Sequence, residues 1–275
     1  MKLLKIVSLT CATLLALTSC ATGSDNQSSS SDDNGKTVVK VGASPVPHAD
    51  ILKFVNENLA SAEGIEIDIK EYTDYIQPNV ALDEDELDAN FFQHLPYFDT
   101  EVSEKGYAFE HGKGIQIEPY AVFSEKITDL KELADKATIL VNNDPSNQAR
   151  ALKLLEKLGL FELKNRDNPT IHDLAKNPHN YTLIEADPAI IPVQLPDVDI
   201  AVINGNFALD HGLNPATDAI AIESGEDNPY ANILAWKKDS AKAEAIAKLE
   251  KLLHDPKVAD FIRESYPNGE IVPAF

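Results

Sequence analysis

The sequence predicts an α/β protein built as two lobes. Three observations carry that prediction: short apolar runs alternate with helical patterns from Thr37 onward, a second series begins near Ala137, and the chain then returns through a strand and two helices. In the first series TVVKVGAS, HADILKFVNENLA, GIEIDIKEY, a polar helix-like stretch and LDANFFQ read as strand, helix, strand, helix, strand. Such alternation favours a mostly parallel sheet with helices on its faces. The second series is ATILVNN, DPSNQARALKLLEKLG, YTLIEA, VDIAVING and DAIAIES. Its helix is the best-defined element, because Asp144 can cap it, Pro145 suits its first position, leucines 152, 155 and 158 line one face, and Gly159 can close it. YANILAW then reads as a strand, and residues 240–263 as two helices divided at Asp255-Pro256. The expected partition is 37–118 plus 230–275 for lobe one and 119–229 for lobe two. Ligands of open α/β sheets sit beyond the carboxyl ends of the strands, so a cleft between two such lobes is the natural site.

The amino terminus predicts a location. MKLLKIVSLTCATLLALTSC has two lysines, an apolar stretch from Ile6 to Leu17 and small residues before a cysteine, the pattern of an export signal. Its apolar stretch is 12 residues, short of the roughly 20 that span a bilayer. Leu17-Thr18-Ser19-Cys20 resembles a bacterial lipobox, which implies removal of residues 1–19, lipidation of Cys20 and anchoring at the extracytoplasmic side of the cell membrane. The competing reading is an ordinary secretory signal. Cys11 lies in the removed segment, so the mature chain has no second thiol to pair with Cys20. Residues 21–36, ATGSDNQSSSSDDNGK, have the composition of a flexible tether.

Charge and motifs narrow the function. The formal charge is −21, and removing residues 1–19, with Lys2 and Lys5 and no acid, gives 22 − 45 = −23. That balance argues against a nucleic-acid partner. No GxSxG elbow, Walker loop, GxGxxG, HExxH or CxxC occurs, so neither catalytic residues nor a cofactor is predicted. The histidines at 48, 94, 111, 172, 179, 211 and 254 are scattered, with no pair at i, i+4, and DEDELD lacks the glycine and distal glutamate of an EF-hand. No metal site is predicted, although a metal-capturing surface lipoprotein is the alternative reading.

Three segments together fit a small zwitterion. EYTDYIQPN offers Tyr72 and Tyr75, and NFFQHLPYF offers Phe92, His94 and Tyr97, both at strand ends of lobe one. Strand alternation would point Phe92 and His94 together, with Phe91 and Gln93 on the other face. The competing reading makes these core residues. In NNDPSNQAR, Asn147 and Arg150 share a helical face near unpaired first-turn donors, an arrangement suited to a carboxylate. The alternative there pairs Arg150 with one of the 45 acids. In VDIAVINGNF, Asn204 at a strand end either accepts from an ammonium or donates to a carboxylate, or simply makes a turn.

At these residues the chain resembles a known family. EYTDYIQPN, LDANFFQHLPYF, NDPSNQARALKLLEKLGL, VDIAVINGNFALDHGLNP, NPYANILAW and VPAF resemble the NlpA/MetQ lipoproteins over essentially all of residues 37–275. Asn142 stands where that family typically has proline, and PVQLPDVD replaces a more usual PRSLDDVD. The resemblance implies a periplasmic-binding-protein-like fold with a hinged ligand cleft between the lobes, capture of methionine, another amino acid or a dipeptide, and delivery to an ABC permease and its ATPase. It implies a side-chain pocket of Tyr72, Tyr75, Phe92, His94 and Tyr97, a carboxylate partner in Arg150 helped by Asn147, and a backbone grip by Asn204.

Overall fold

A computed structural model describes residues 35–225 and 228–275. The expected signal peptide, Cys20 and the tether up to residue 34 lie outside the described residues. Among the described residues no helix is long and apolar enough to cross a membrane.

The first part of the chain forms β1 (Thr37–Ala43), α1 (Asp50–Asn58), β2 (Ile65–Glu71), α2 (Gln77–Asp83), β3 (Ala89–His94), α3 (Leu95–Lys105) and β4 (Phe109–Ile117). The second forms β5 (Ala121–Phe123), β6 (Thr138–Asn142), α4 (Pro145–Lys157), a ribbon of β7 (Glu162–Leu163) and β8 (Leu174–Lys176), β9 (Thr182–Ala186), α5 (Ile191–Gln194), β10 (Ile200–Ile203), α6 (Gly205–Asp210) and β11 (Ala221–Ile222). The chain closes with β12 (Ala231–Lys237), α7 (Ala243–Leu253), α8 (Pro256–Ser265) and β13 (Val272–Pro273). A six-stranded sheet has the order β13-β4-β12-β3-β1-β2, and a five-stranded sheet the order β11-β5-β10-β6-β9. These sheets and their helices are the two lobes, joined by residues 118–120 and 223–230.

The sheets are mixed rather than mostly parallel. β1 pairs parallel with β2 and β3, and β6 with β9 and β10, as the alternation predicts. The strands next to the crossings run antiparallel: β4 and β12 pair with each other, β12 with β3, and β5 with β10 and β11. A strand entering from the other lobe reaches the sheet without a crossover helix, so nothing obliges it to run parallel.

Both sheets are buried on two faces. Ile139 and Val141 face one cluster with Leu152 and Leu155 of α4, whereas Leu140 faces another with Ile191, Leu195 and Phe207. That explains the near-continuous apolar runs. In the first lobe, Val39, Val41 and Phe91 pack against Ile246, Leu249 and Ile262 of the returning helices. Helix α4 follows its local signals: Asp144 accepts from the Asn147 N–H at 2.8 Å, and Gly159 takes φ 83°.

Candidate functional site

NFFQHLPYF is a strand that passes directly into a helix. β3 ends at His94, whose Nδ1 accepts from the Tyr97 N–H at 3.1 Å and so caps α3, with Pro96 in the first turn. That acceptor role places the ring proton on Nε2, which donates to Asn147 Oδ1 at 3.1 Å. His94 on one lobe is thereby joined to α4 on the other.

Around this bond the two lobes together line one cavity. Tyr75, Phe92, His94 and Tyr97 line it from the first lobe, and Asn147, Arg150 and Asn204 from the second. The rings of Tyr75, Phe92 and Tyr97 form a triangle with centroid separations of 6.0, 5.9 and 6.1 Å. The Tyr97 hydroxyl donates to the Tyr75 carbonyl at 2.9 Å, and the Tyr75 hydroxyl crosses to Asn206 Oδ1 at 2.5 Å.

Two expectations are corrected. Tyr72 does not line the cavity: its N–H extends the β2 ladder to the Ala43 carbonyl, and its ring lies over Gly42 beside Leu87. Gln93, expected on the opposite face from Phe92 and His94, lines the cavity with them. The cause is a register shift against β12, where Gln93 faces Ile233 and Phe91 faces Leu234, leaving Phe92 without an opposite residue. Such a bulge breaks the two-residue alternation.

Arg150 takes the alternative reading, pairing with an acid, and also lines the cavity. Its guanidinium is 4% exposed, lines the cavity, and is held by Glu223, with Nη2 at 2.5 Å from Oε2, and by the Glu118 carbonyl at 2.9 Å. Tyr120 and Tyr230 stack on it at 4.8 and 4.2 Å. All four partners belong to the two crossing segments, so the arginine is seated where the chain passes between the lobes. Its Nη1 makes no hydrogen bond among the described residues.

The amides beside it face one way. Asn147 Oδ1 receives His94 and the Asn204 Nδ2 at 3.1 Å. Asn204 Oδ1 receives the Asn142 Nδ2 at 2.8 Å, and Asn142 Oδ1 receives the Tyr120 hydroxyl. With their oxygens occupied and one N–H of each donated to Asp144 Oδ1 and Asn147 Oδ1, Asn147 and Asn204 each keep one further N–H. Asn142 is the support for that orientation.

Sequence reasoning missed the acceptor. Glu118, on the first crossing, is a fully buried carboxylate lining the cavity. Burial raises its pKa to about 7, against the Asn206 N–H at 2.8 Å and the Arg150 charge, which favour ionisation. Gly205 permits that approach, since a Cβ there would stand 3.0 Å from the Glu118 Cβ. An acid inside the apolar run IQIEPY was the available signal. Asn232, also lining the cavity, was hidden inside the strand YANILAW. His94 is held neutral, its pKa lowered to about 3 by burial and then by Arg150.

Donors, a carboxylate and aromatic rings lining one cavity suit a zwitterion with an apolar side chain. Comparison with known sequences agrees in kind: the profile of the NlpA lipoproteins matches residues 39–275. The chain belongs to the NlpA lipoprotein family. Among its NlpA relatives, the methionine-binding lipoprotein MetQ of Bacillus subtilis (strain 168) is 36% identical over 259 residues, covering 92% of each chain. A solved structure of a nutrient binding protein from Burkholderia cenocepacia bound to methionine has a TM-score of 0.81 at 40% identity, over 86% of this chain and all of that one. Lipoprotein Tp32 from Treponema pallidum has a TM-score of 0.80 at 33% identity, over 86% of this chain and 99% of that one. Among the described residues of this NlpA lipoprotein no group of three or more His, Cys, Asp or Glu is placed to hold a metal ion.

Proposed function

We propose that this chain is the substrate-binding lipoprotein of an ABC importer, anchored outside the cytoplasm through Cys20, which captures an amino acid, best fitted by methionine, and delivers it to a permease and its ATPase. The observation that carries this reading is the opposed polarity of one cavity, with Arg150, Asn147 and Asn204 as donors and Glu118 as acceptor. Arg150 Nη1 takes the ligand carboxylate while Glu223 holds the other edge of the guanidinium. Glu118 takes the ammonium, and Tyr75, Phe92, His94 and Tyr97 take the side chain. Lobe one comprises 37–118 and 230–275 and lobe two 119–229, closing about the crossing segments.

The energetics favour a polarizable side chain. Burying it contributes about 1.5 to 3 kcal/mol, and each sulfur–aromatic contact about 0.3 to 1.5 kcal/mol. Hydrogen bonds to the charged ends contribute about 1.5 to 3 kcal/mol each. Ordering costs reduce that sum, and micromolar capture needs about −8 kcal/mol, so head group and side chain must both be held.

Titration calorimetry with L-methionine, D-methionine, alanine and glycyl-methionine tests the reading. Methionine should bind tightest, and Arg150→Ala should lose at least about a hundredfold in affinity while remaining folded. Unchanged affinity in that variant would remove Arg150 from the site. No heat with any of the four would sink the amino-acid reading, and a zinc-induced thermal shift would favour metal capture.

A further inference from the structure

Behind the cavity, and not lining it, lies His48. It sits in the turn Pro45–Ala49 between β1 and α1, 1% exposed, with its ring edge-on to Phe91 at 4.7 Å. Its Nε2 faces two oxygens that belong to different parts of the fold: Asn232 Oδ1 at 3.1 Å, at the start of β12, and Glu118 Oε1 at 3.2 Å, on the first crossing. Its Nδ1 is buried without a hydrogen-bond partner.

We propose that His48 is a positioning residue of the binding site, a donor that turns the Asn232 amide and the Glu118 carboxylate so that one offers N–H groups and the other an oxygen to the ligand head group. The inference rests on the amino-acid reading above.

The tautomer follows from counting partners. A proton on Nε2 meets two acceptors and leaves Nδ1 as a bare acceptor. A proton on Nδ1 would be a buried donor with nothing to receive it, while Nε2 faced two oxygens with its own lone pair. The first arrangement is the better satisfied. Burial also holds the ring neutral, lowering its pKa to about 4 against the Asn232 bond, so the approach to Glu118 is not an ion pair.

The consequence reaches the ligand. With Oδ1 of Asn232 occupied by His48, the Nδ2 donors are left for the cavity that Asn232 lines. Glu118 Oε1 receives the Gln116 Nε2 at 3.1 Å and lies 3.2 Å from His48 Nε2, and Oε2 receives the Asn206 N–H, so the carboxylate is held at both oxygens. Without His48 the Asn232 amide has no reason to keep its oxygen outward, and Glu118 loses the polar neighbour 3.2 Å from its Oε1.

Three variants and one spectrum test this. Glutamine can place an amide N–H near the position of Nε2, whereas asparagine reaches only the position of Nδ1 and leucine supplies shape without a donor. His48→Gln should bind L-methionine within about threefold of the wild type, and His48→Asn and His48→Leu about tenfold to a hundredfold more weakly. Long-range 1H–15N correlation on the ligand-free wild type should give an Nε2–H ring. An Nδ1–H ring would overturn the proposal, as would wild-type affinity in the asparagine or leucine variant, or equal losses in all three. If the variants do not fold, the spectrum still decides. A wild type that binds no amino acid would sink the ligand reading, while an Nε2–H ring would uphold the hold of His48 on Asn232 and Glu118.

Discussion

Replacing His94 by asparagine should flatten the acid side of the stability curve, by an amount set by where the ring sits. Burial and the Arg150 charge hold the folded-state pKa of His94 at about 3, against 6.5 for a free imidazole. As pH falls through 6.5 the unfolded chain binds a proton that the folded chain refuses, so the contribution of the neutral ring is full above that value and is lost progressively on the way down to 3. Integrated from about pH 7.5 to about pH 4.5, one such proton is worth roughly 3 kcal/mol. Asparagine keeps an acceptor for the Tyr97 N–H and has no proton to gain. The buried acids with shifted titration, Glu118, Glu101 and Glu250 among them, occur in both proteins and cancel in the difference. Urea unfolding at both pH values, with the slope unchanged, measures it. The wild type should lose roughly 3 kcal/mol more than the variant over that interval. A difference between the proteins that does not change with pH would refute the reasoning, because it would mean that the imidazole is solvated and titrates normally.

Phe92→Ala should weaken methionine more than alanine in calorimetry, since the ring belongs to the wall around the side chain; equal losses would contradict that role. Gly42→Ala should lower stability in thermal unfolding by about 1 to 3 kcal/mol, because a Cβ there would lie 2.5 Å from Leu87 Cδ1 and 3.1 Å from the Tyr72 ring. A neutral result would show that Leu87 moves aside freely.

Helix α4 was legible almost to the residue because its signals are local: a capping Asp144, Pro145 at the start, leucines on one face and Gly159 at the end. The parallel strands of both lobes were legible for a similar reason, as apolar runs bounded by helical patterns. β4 was not. FEHGKGIQI carries charges and two glycines through most of its length, and it is a strand because β12 and β13 pair with it. β5 is only three residues long and takes its place between β10 and β11.

By itself, then, the sequence determined the alternating α/β order, the family, the capped helix bearing Asn147 and Arg150, and the crowding of rings at 92–97. Tertiary structure alone decided which groups line the cavity. It turned Tyr72 onto Gly42 and Leu87, brought Gln93 inward through a bulge, and set Glu223 on an arginine 73 residues away. It also joined His48 to Asn232 across 184 residues, with Glu118 between them. Caps and periodicity act over a few residues and are written in the order of the chain, whereas the partner of a buried polar group is whatever the folded chain carries to it.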